Sequence, residues 1–124
     1  MEIDELQREF YKLCEKSEQA YNEELEVSYE HTLVNALVFL KRYEGSRREI
    51  AEILNRGITE NTVPLELIAF CMRELRWEEV RDHAILIYKA SLDPRRVALL
   101  TVIKAYDAFW PDEDQYAYFG RRGV

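Results

Sequence analysis

Histidine, cysteine, glycine and proline are all scarce in this chain of 124 residues, which contains 2 His, 2 Cys, 4 Gly and 3 Pro. So little glycine and proline excludes collagen-like and low-complexity classes, and two cysteines are too few for a disulfide framework. The longest uninterrupted apolar run is Leu67–Met72, far shorter than the about 20 residues of a membrane span. We therefore expect a folded chain that does not enter a membrane.

Signatures of catalysis, metals and cofactors are missing as well. His31 and His83 are the two histidines that could take a proton in a hydrolase, and the chain has no glycine-rich phosphate loop. His83 follows Asp82 and lies one turn after Glu79, but a catalytic zinc site needs three ligands and the sequence shows no third. We therefore predict no enzymatic activity, no cofactor and no metal.

The negative charge is concentrated at the N-terminal end. The net charge is −7, and residues 1–30 hold ten acidic against three basic residues, whereas the rest of the chain is balanced. Such a stretch disfavours polyanions and would suit a basic partner, although, taken alone, it is more typical of a surface that keeps a protein soluble. This N-terminal stretch does not resemble a signal peptide, and Cys14 and Cys71 lie in apolar helical patterns. Together these features predict a cytoplasmic protein.

Apolar spacing and helix-boundary residues predict one all-α domain, residues 1–124, with six to seven short helices in antiparallel hairpins. The first helix presents one apolar face, made of Ile3, Leu6, Phe10, Leu13 and Ala20. A second helix over 29–44 is apolar around most of its circumference, which is typical of a central helix. Ser46 and Glu49 form a capping-box pattern at the start of a third helix, which Gly57 is expected to end.

The later helices are predicted at about 64–76, 78–91, 94–109 and 112–120. Asp93 and Pro94 form the strongest start pattern, because an aspartate at the N-cap precedes a proline in the first turn. Asp112 with Gln115 resembles a second capping box after Pro111. No stretch combines alternating polarity with the turn dipeptides of hairpins, so no strand is predicted.

Residues 75–84, LRWEEVRDHA, resemble the turn and second helix of a HEAT-type hairpin, in which a Val-Arg pair and a nearby alanine allow close helix packing. The segment DPRRVA at 93–98 opens the following helix in a similar way. The resemblance covers residues 64–109 and implies a short stack of HEAT-like hairpins. A compact helical bundle is the alternative architecture, since HEAT repeats run to about 40 residues and need neighbours to bury their faces.

Two features of the sequence could bind a ligand or partner. Three arginine pairs, at 47–48, 95–96 and 121–122, could bind an anion or RNA, but the sequence pI near 4.9 disfavours nucleic acid.

Aromatic and acidic residues also crowd near the C-terminus, where rigid rings beside acids are typical of a surface that binds a basic protein. The predicted partner-binding residues are Asp107, Trp110, Asp112, Glu113, Asp114, Tyr116 and Tyr118. In the alternative interpretation, Phe109, Trp110 and Phe119 close the end of the core beneath half-buried tyrosines.

As a whole, the chain resembles small acidic helical bacterial proteins, among them immunity proteins that neutralise a toxin domain by covering it. This resemblance implies a non-catalytic protein-binding module that binds a basic toxin or nuclease domain through an acidic surface, drawn from residues 1–30 or from 107–114. Two alternatives remain open. One is a self-associating structural or adaptor protein, which would form homo-oligomers, and the other is an anion or RNA binder that uses the arginine pairs.

Overall fold

The computed structural model describes residues 2–23, 26–90, 92 and 96–122, without the side chains of 26–28, 96, 121 and 122, and most of these residues are helical. The α-helices are α1 Ile3–Asn22, α2 Glu26–Arg42, α3 Arg47–Glu60, α4 Leu65–Leu75, α5 Glu78–Ala90, α6 Arg96–Lys104 and α7 Ala117–Arg122. Two short 3-10 helices, Glu44–Ser46 and Pro111–Gln115, precede α3 and α7. Over these described ranges there is no strand, which confirms the all-α prediction.

The inner face of α1 differs from the predicted one. It consists of Leu6, Phe10, Cys14, Ser17 and Ala20, all buried. Ile3 is exposed and Leu13 is only partly covered. The burial follows steps of four and then three residues because α1 packs against α2 and α3 along that side.

The second helix occupies a central position, between α1 and α4. Leu33, Ala36, Leu37 and Leu40 are fully buried against these neighbours. Its apolar residues do not all enter the core, because Val38 on the opposite side is 48% exposed. The Phe39 ring, half-buried, lies 6.2 Å from the Phe10 ring of α1.

The start and the end of α3 both depart from the sequence-based prediction. Ser46 makes no capping hydrogen bond, because the preceding 3-10 turn gives it φ −108° and ψ 26° instead of the extended backbone of an N-cap residue. The helix also continues through Gly57 to Glu60, and the next residue, Asn61, takes the left-handed conformation with φ 58°. Ile50, Ile53 and Leu54 face inward as predicted.

The C-terminal half is organised around α6. This helix packs against both α4 and α5, while α4 also contacts α2 and α5 also contacts α3. A two-residue turn joins α4 to α5, with Arg76 at φ 54° and the Trp77 side chain buried. The sixth helix ends at Lys104, well before the predicted residue 109, and its predicted start at Asp93 and Pro94 lies outside the described residues.

The early end of α6 has a long-range cause. The Arg73 guanidinium of α4 donates hydrogen bonds to the carbonyl oxygens of Ala105 at 3.0 Å, Asp107 at 2.5 Å and Ala108 at 3.3 Å. These bonds satisfy the carbonyls that follow the last turn of α6, so the chain can leave the helix there. The segment that follows is thereby directed back over α4.

Candidate partner-binding surface

The C-terminal aromatic residues divide between the core and the surface. Trp110 is 1% exposed, and its ring stacks on the Tyr116 ring at 5.9 Å between centroids. Tyr116 is also buried, with its ring 5.0 Å from that of Phe70 in α4. Trp110 and Tyr116 therefore offer almost no ring surface to a partner, and with Phe119 they close the end of the core. Phe109 does not join them, since it is 74% exposed.

The hydroxyl groups of two predicted contact tyrosines bind carboxylates of α4. Tyr116 donates to Glu66 over 2.5 Å, and Tyr118 donates to Glu74 over 2.6 Å. Burial and the bond to Glu66 both raise the pKa of Tyr116 well above its usual range. The Tyr116 phenol therefore remains a protonated donor, and both hydroxyl groups attach the C-terminal segment to α4.

A further carboxylate, Glu30 of α2, caps the first turn of α7. Its two oxygens accept hydrogen bonds from the backbone N–H groups of Ala117 at 2.9 Å and Tyr118 at 3.1 Å. The negative charge also lies at the end of the helix where the dipole favours it. Sequence reasoning counted Glu30 among the acids available to a basic partner, and no local pattern could have revealed a contact between residues 87 positions apart.

Two of the four C-terminal acids have intramolecular partners. Asp112 accepts a hydrogen bond from the Thr101 hydroxyl over 2.5 Å, and Glu113 forms an ion pair with Arg73 at 2.9 Å. Asp107 and Asp114 are exposed. Of the seven predicted contact residues, these two acids are the ones that the fold leaves open to solvent.

A larger acidic surface lies on α1. On the side of residues 2–23 away from the core, the exposed acids are Glu2, Asp4, Glu5, Glu9, Glu15, Glu18 and Glu23, and the exposed bases are Arg8, Lys12 and Lys16. We call this surface the α1 acidic face. Its ion pair between Lys12 and Glu9, at 3.3 Å, joins two well-exposed side chains and contributes little to stability. The excess of negative charge therefore faces solvent.

Two open grooves run along this helix. One, of about 380 Å³, lies between α1 and the end of α2, where the rings of Phe39 and Tyr43 form its floor beside Arg8 and Arg42. The other, of about 540 Å³, includes Asp4, Tyr11 and Glu15 on its walls. Both grooves are bordered by charged side chains of both signs.

The histidine considered for metal binding has a different role. The Nε2 atom of His83 is 2.8 Å from the Thr59 hydroxyl oxygen, so the ring joins α5 to α3. Burial lowers the pKa of His83, which favours the neutral ring. In the part of the chain that is described, no group of three or more His, Cys, Asp or Glu residues could hold a metal ion.

Arg47, from the first of the three arginine pairs, is engaged within the molecule. The Arg47 guanidinium donates two hydrogen bonds to Glu79, at 3.0 and 2.7 Å, and lies 5.3 Å from the centre of the Trp77 ring. These bonds lower the pKa of Glu79 and raise that of Arg47. The ion pair between Arg47 and Glu79 joins α3 to α5, and the nearby carboxylate explains why a cation is tolerated in the first turn of α3. The side chains at 95–96 and 121–122 lie outside the described residues.

Both cysteines are free and buried. Burial, with smaller contributions from Glu18 and Glu15, raises the pKa of Cys14 to about 12. Burial also raises the pKa of Cys71. Both thiols are therefore protonated at neutral pH, and neither is an activated nucleophile.

No protein-family model, curated protein or solved structure matches this chain. Among the residues with described structure, no helix combines the length and the apolar character needed to cross a bilayer.

Proposed function

We propose that this protein is a non-catalytic binding module whose α1 acidic face binds a basic protein. The best-fitting example is an immunity-type inhibitor, which covers and neutralises a basic toxin or nuclease domain in the bacterial cytoplasm. The observation that carries the proposal is the exposed excess of acids on the α1 acidic face, seven against three bases. A surface of this kind steers a basic partner into contact and favours it over neutral or acidic competitors.

Comparison of the two acidic surfaces favours α1 over the C-terminal segment. The acids at 112 and 113 are bonded to Thr101 and Arg73, so a partner would first have to displace those contacts. Acids such as Glu15 and Glu18 on α1 are exposed on a helix that is anchored through its other face. Such acids can contact a partner without any rearrangement of the core.

The proposal is tested with a charge-reversal variant and a matched control. Glu15→Lys with Glu18→Lys changes the α1 acidic face, whereas Glu52→Lys with Glu60→Lys makes the same charge change at exposed positions of α3. Each protein is immobilised and exposed to native-cell lysate with and without nuclease, and retained proteins are identified by mass spectrometry. The affinity of the retained partner for all three proteins is then measured at two salt concentrations.

We expect one basic protein to be retained both with and without nuclease. The α1 reversal should reduce its affinity about tenfold or more, with a smaller reduction at high salt, and the α3 control should preserve its affinity. Equal affinities for the two variants, or no retained basic protein, would contradict the proposal. Retention that disappears with nuclease would instead favour the RNA-binding alternative, and recovery of only the protein's own chains would favour self-assembly.

A further inference from the structure

The outer face of α5 carries an exposed leucine between two opposite charges. Leu86 is 61% exposed, with Asp82 one turn before it and Lys89 almost one turn after it, both exposed. Leu92, which follows α5, and Val97 of α6 are also exposed, at 95% and 72%. We call Asp82, Leu86 and Lys89 the α5 stripe.

The helical positions of these residues make the stripe self-complementary. At about 100° per residue, Asp82 and Lys89 lie within about 20° of each other around the helix axis, on the same side of Leu86. Along the axis they lie about 6 Å before and about 4.5 Å after Leu86. Two antiparallel α5 helices can be related by a two-fold axis that runs between them, perpendicular to both, at the level of Leu86. This rotation leaves Asp82 and Lys89 of both copies on the same side of the Leu86 contact, but it reverses their order along the helix axis. It therefore brings Asp82 of each copy opposite Lys89 of the other.

We propose that the α5 stripe is a homodimer contact, in which α5 pairs antiparallel with α5 of a second copy of this chain. Leu86 packs against Leu86 of that copy, and two symmetric Asp82–Lys89 ion pairs flank this contact. The partner in this contact is a second copy because an isologous interface needs a patch that complements itself. The α5 stripe is such a patch, since along the helix it carries a negative charge before Leu86 and a positive charge after it. A purely basic or purely acidic partner would meet a like charge at one end of the stripe.

The surrounding contacts leave the stripe available for this role. The Asp82 carboxylate accepts hydrogen bonds from the guanidinium of its chain neighbour Arg81, at 3.3 and 3.4 Å, and the Asp82 side chain is 68% exposed. The opposite side of α5 is anchored by buried Val80 and Ala84. Dimerisation would therefore need only side-chain adjustment. The inference is independent of the proposed basic partner, since the α1 acidic face lies on another helix.

The first test measures mass against concentration by sedimentation equilibrium. We expect the average mass of the wild-type protein to rise from 14.8 kDa towards twice that value as concentration increases. Leu86→Lys should remain monomeric, and Val38→Lys, an equally drastic change at a 48% exposed position of α2, should still dimerise. Circular dichroism checks that both variants keep their helical content.

The second test exchanges the charges of the stripe. Asp82→Lys and Lys89→Asp should each weaken self-association about fivefold or more, because every ion pair becomes a like-charge contact. An equimolar mixture of the two variants should form a heterodimer, and the double variant should recover wild-type affinity. A wild-type protein that stays monomeric at every concentration overturns the proposal, as does a dimer whose affinity none of these substitutions changes.

Discussion

Gly57 lies inside α3, where the absence of a side chain lets the chain fold back closely. The helix ends three residues later at Glu60, and Val63 returns against the helix at the position of Gly57. A Cβ at residue 57 would lie 2.8 Å from the Val63 Cβ atom and closer still to Cγ2. The sequence pattern predicted that the helix would end at this glycine. In the structure, Gly57 instead allows Val63 to pack closely against α3.

Replacing Gly57 therefore gives a test of this packing. Gly57→Ala should lower the free energy of unfolding by about 1–2 kcal/mol, because the overpacking cost exceeds the about 1 kcal/mol that alanine gains in a helix. The control is Gly45→Ala, because a Cβ at that position would meet no atom within 4 Å. This substitution should leave the free energy of unfolding nearly unchanged. Urea denaturation measures both values. A Gly57→Ala protein as stable as the wild type would contradict the packing of Val63 against α3.

His83 provides a prediction on pH dependence. Burial lowers its pKa in the folded state below the ordinary value of 6.5, so the unfolded chain binds the proton more readily. The stability that depends on neutral His83 should be fully present above pH 6.5 and should fall as the pH drops from there through the lowered pKa. Urea midpoints between pH 5 and 8 measure this change.

The exposed His31 serves as the control for this titration. His83→Gln should reduce the loss of stability between pH 6.5 and 5, whereas His31→Gln should leave the wild-type profile intact. If both substitutions gave the same profile as the wild type, the titration of His83 would not be coupled to unfolding.

At the level of elements, the segment from residue 110 to the end of α7 is attached by groups from α2 and α4. Glu30 caps α7, Glu66 and Glu74 accept from two tyrosines, and Arg73 binds Glu113. Beneath these polar contacts, the rings of Tyr116 and Phe119 pack against the Phe70 ring, and the Trp110 ring packs against that of Phe119. This segment is therefore an integral part of the core.

Two adjacent aromatic residues test that role. Trp110→Ala should reduce the free energy of unfolding by about 3–5 kcal/mol, because it removes a fully buried indole, whereas Phe109→Ala should cost less than about 0.5 kcal/mol at its exposed position. Chemical denaturation of the two variants gives the comparison. Similar losses at both positions would show that the segment does not pack as described.

At the level of the whole molecule, the buried thiols report on global opening. Cys14 lies on the inner face of α1 and Cys71 on α4, and burial raises the pKa of both. With a disulfide reagent at pH 8, labelling in native buffer should be slower than in urea by a factor of about 100 or more, because reaction requires exposed thiolate. Rapid labelling of native protein at either cysteine would contradict the burial of that helix face.

The same packing governs which charges are available to a partner. Sequence reasoning placed candidate acids in residues 1–30 and 107–114 without ranking the two regions. The fold separates them, since Glu30, Asp112 and Glu113 bond within the molecule while acids such as Glu15 and Glu18 face solvent. It also exposes the α5 stripe, which lies in the segment that sequence analysis assigned to a HEAT-like hairpin.

The sequence by itself determined the all-α class, the approximate helix positions and the inward face of α3, because helical periodicity and turn residues act over only a few positions. Tertiary structure decided the end of α6, the continuation of α3 through Gly57 and the division of the C-terminal aromatics between core and surface. Each of these depends on contacts between distant residues, such as Arg73 with Ala105 and Glu30 with Ala117. A local pattern shows that a residue is acidic or aromatic, but only the packing of helices decides whether that residue faces solvent.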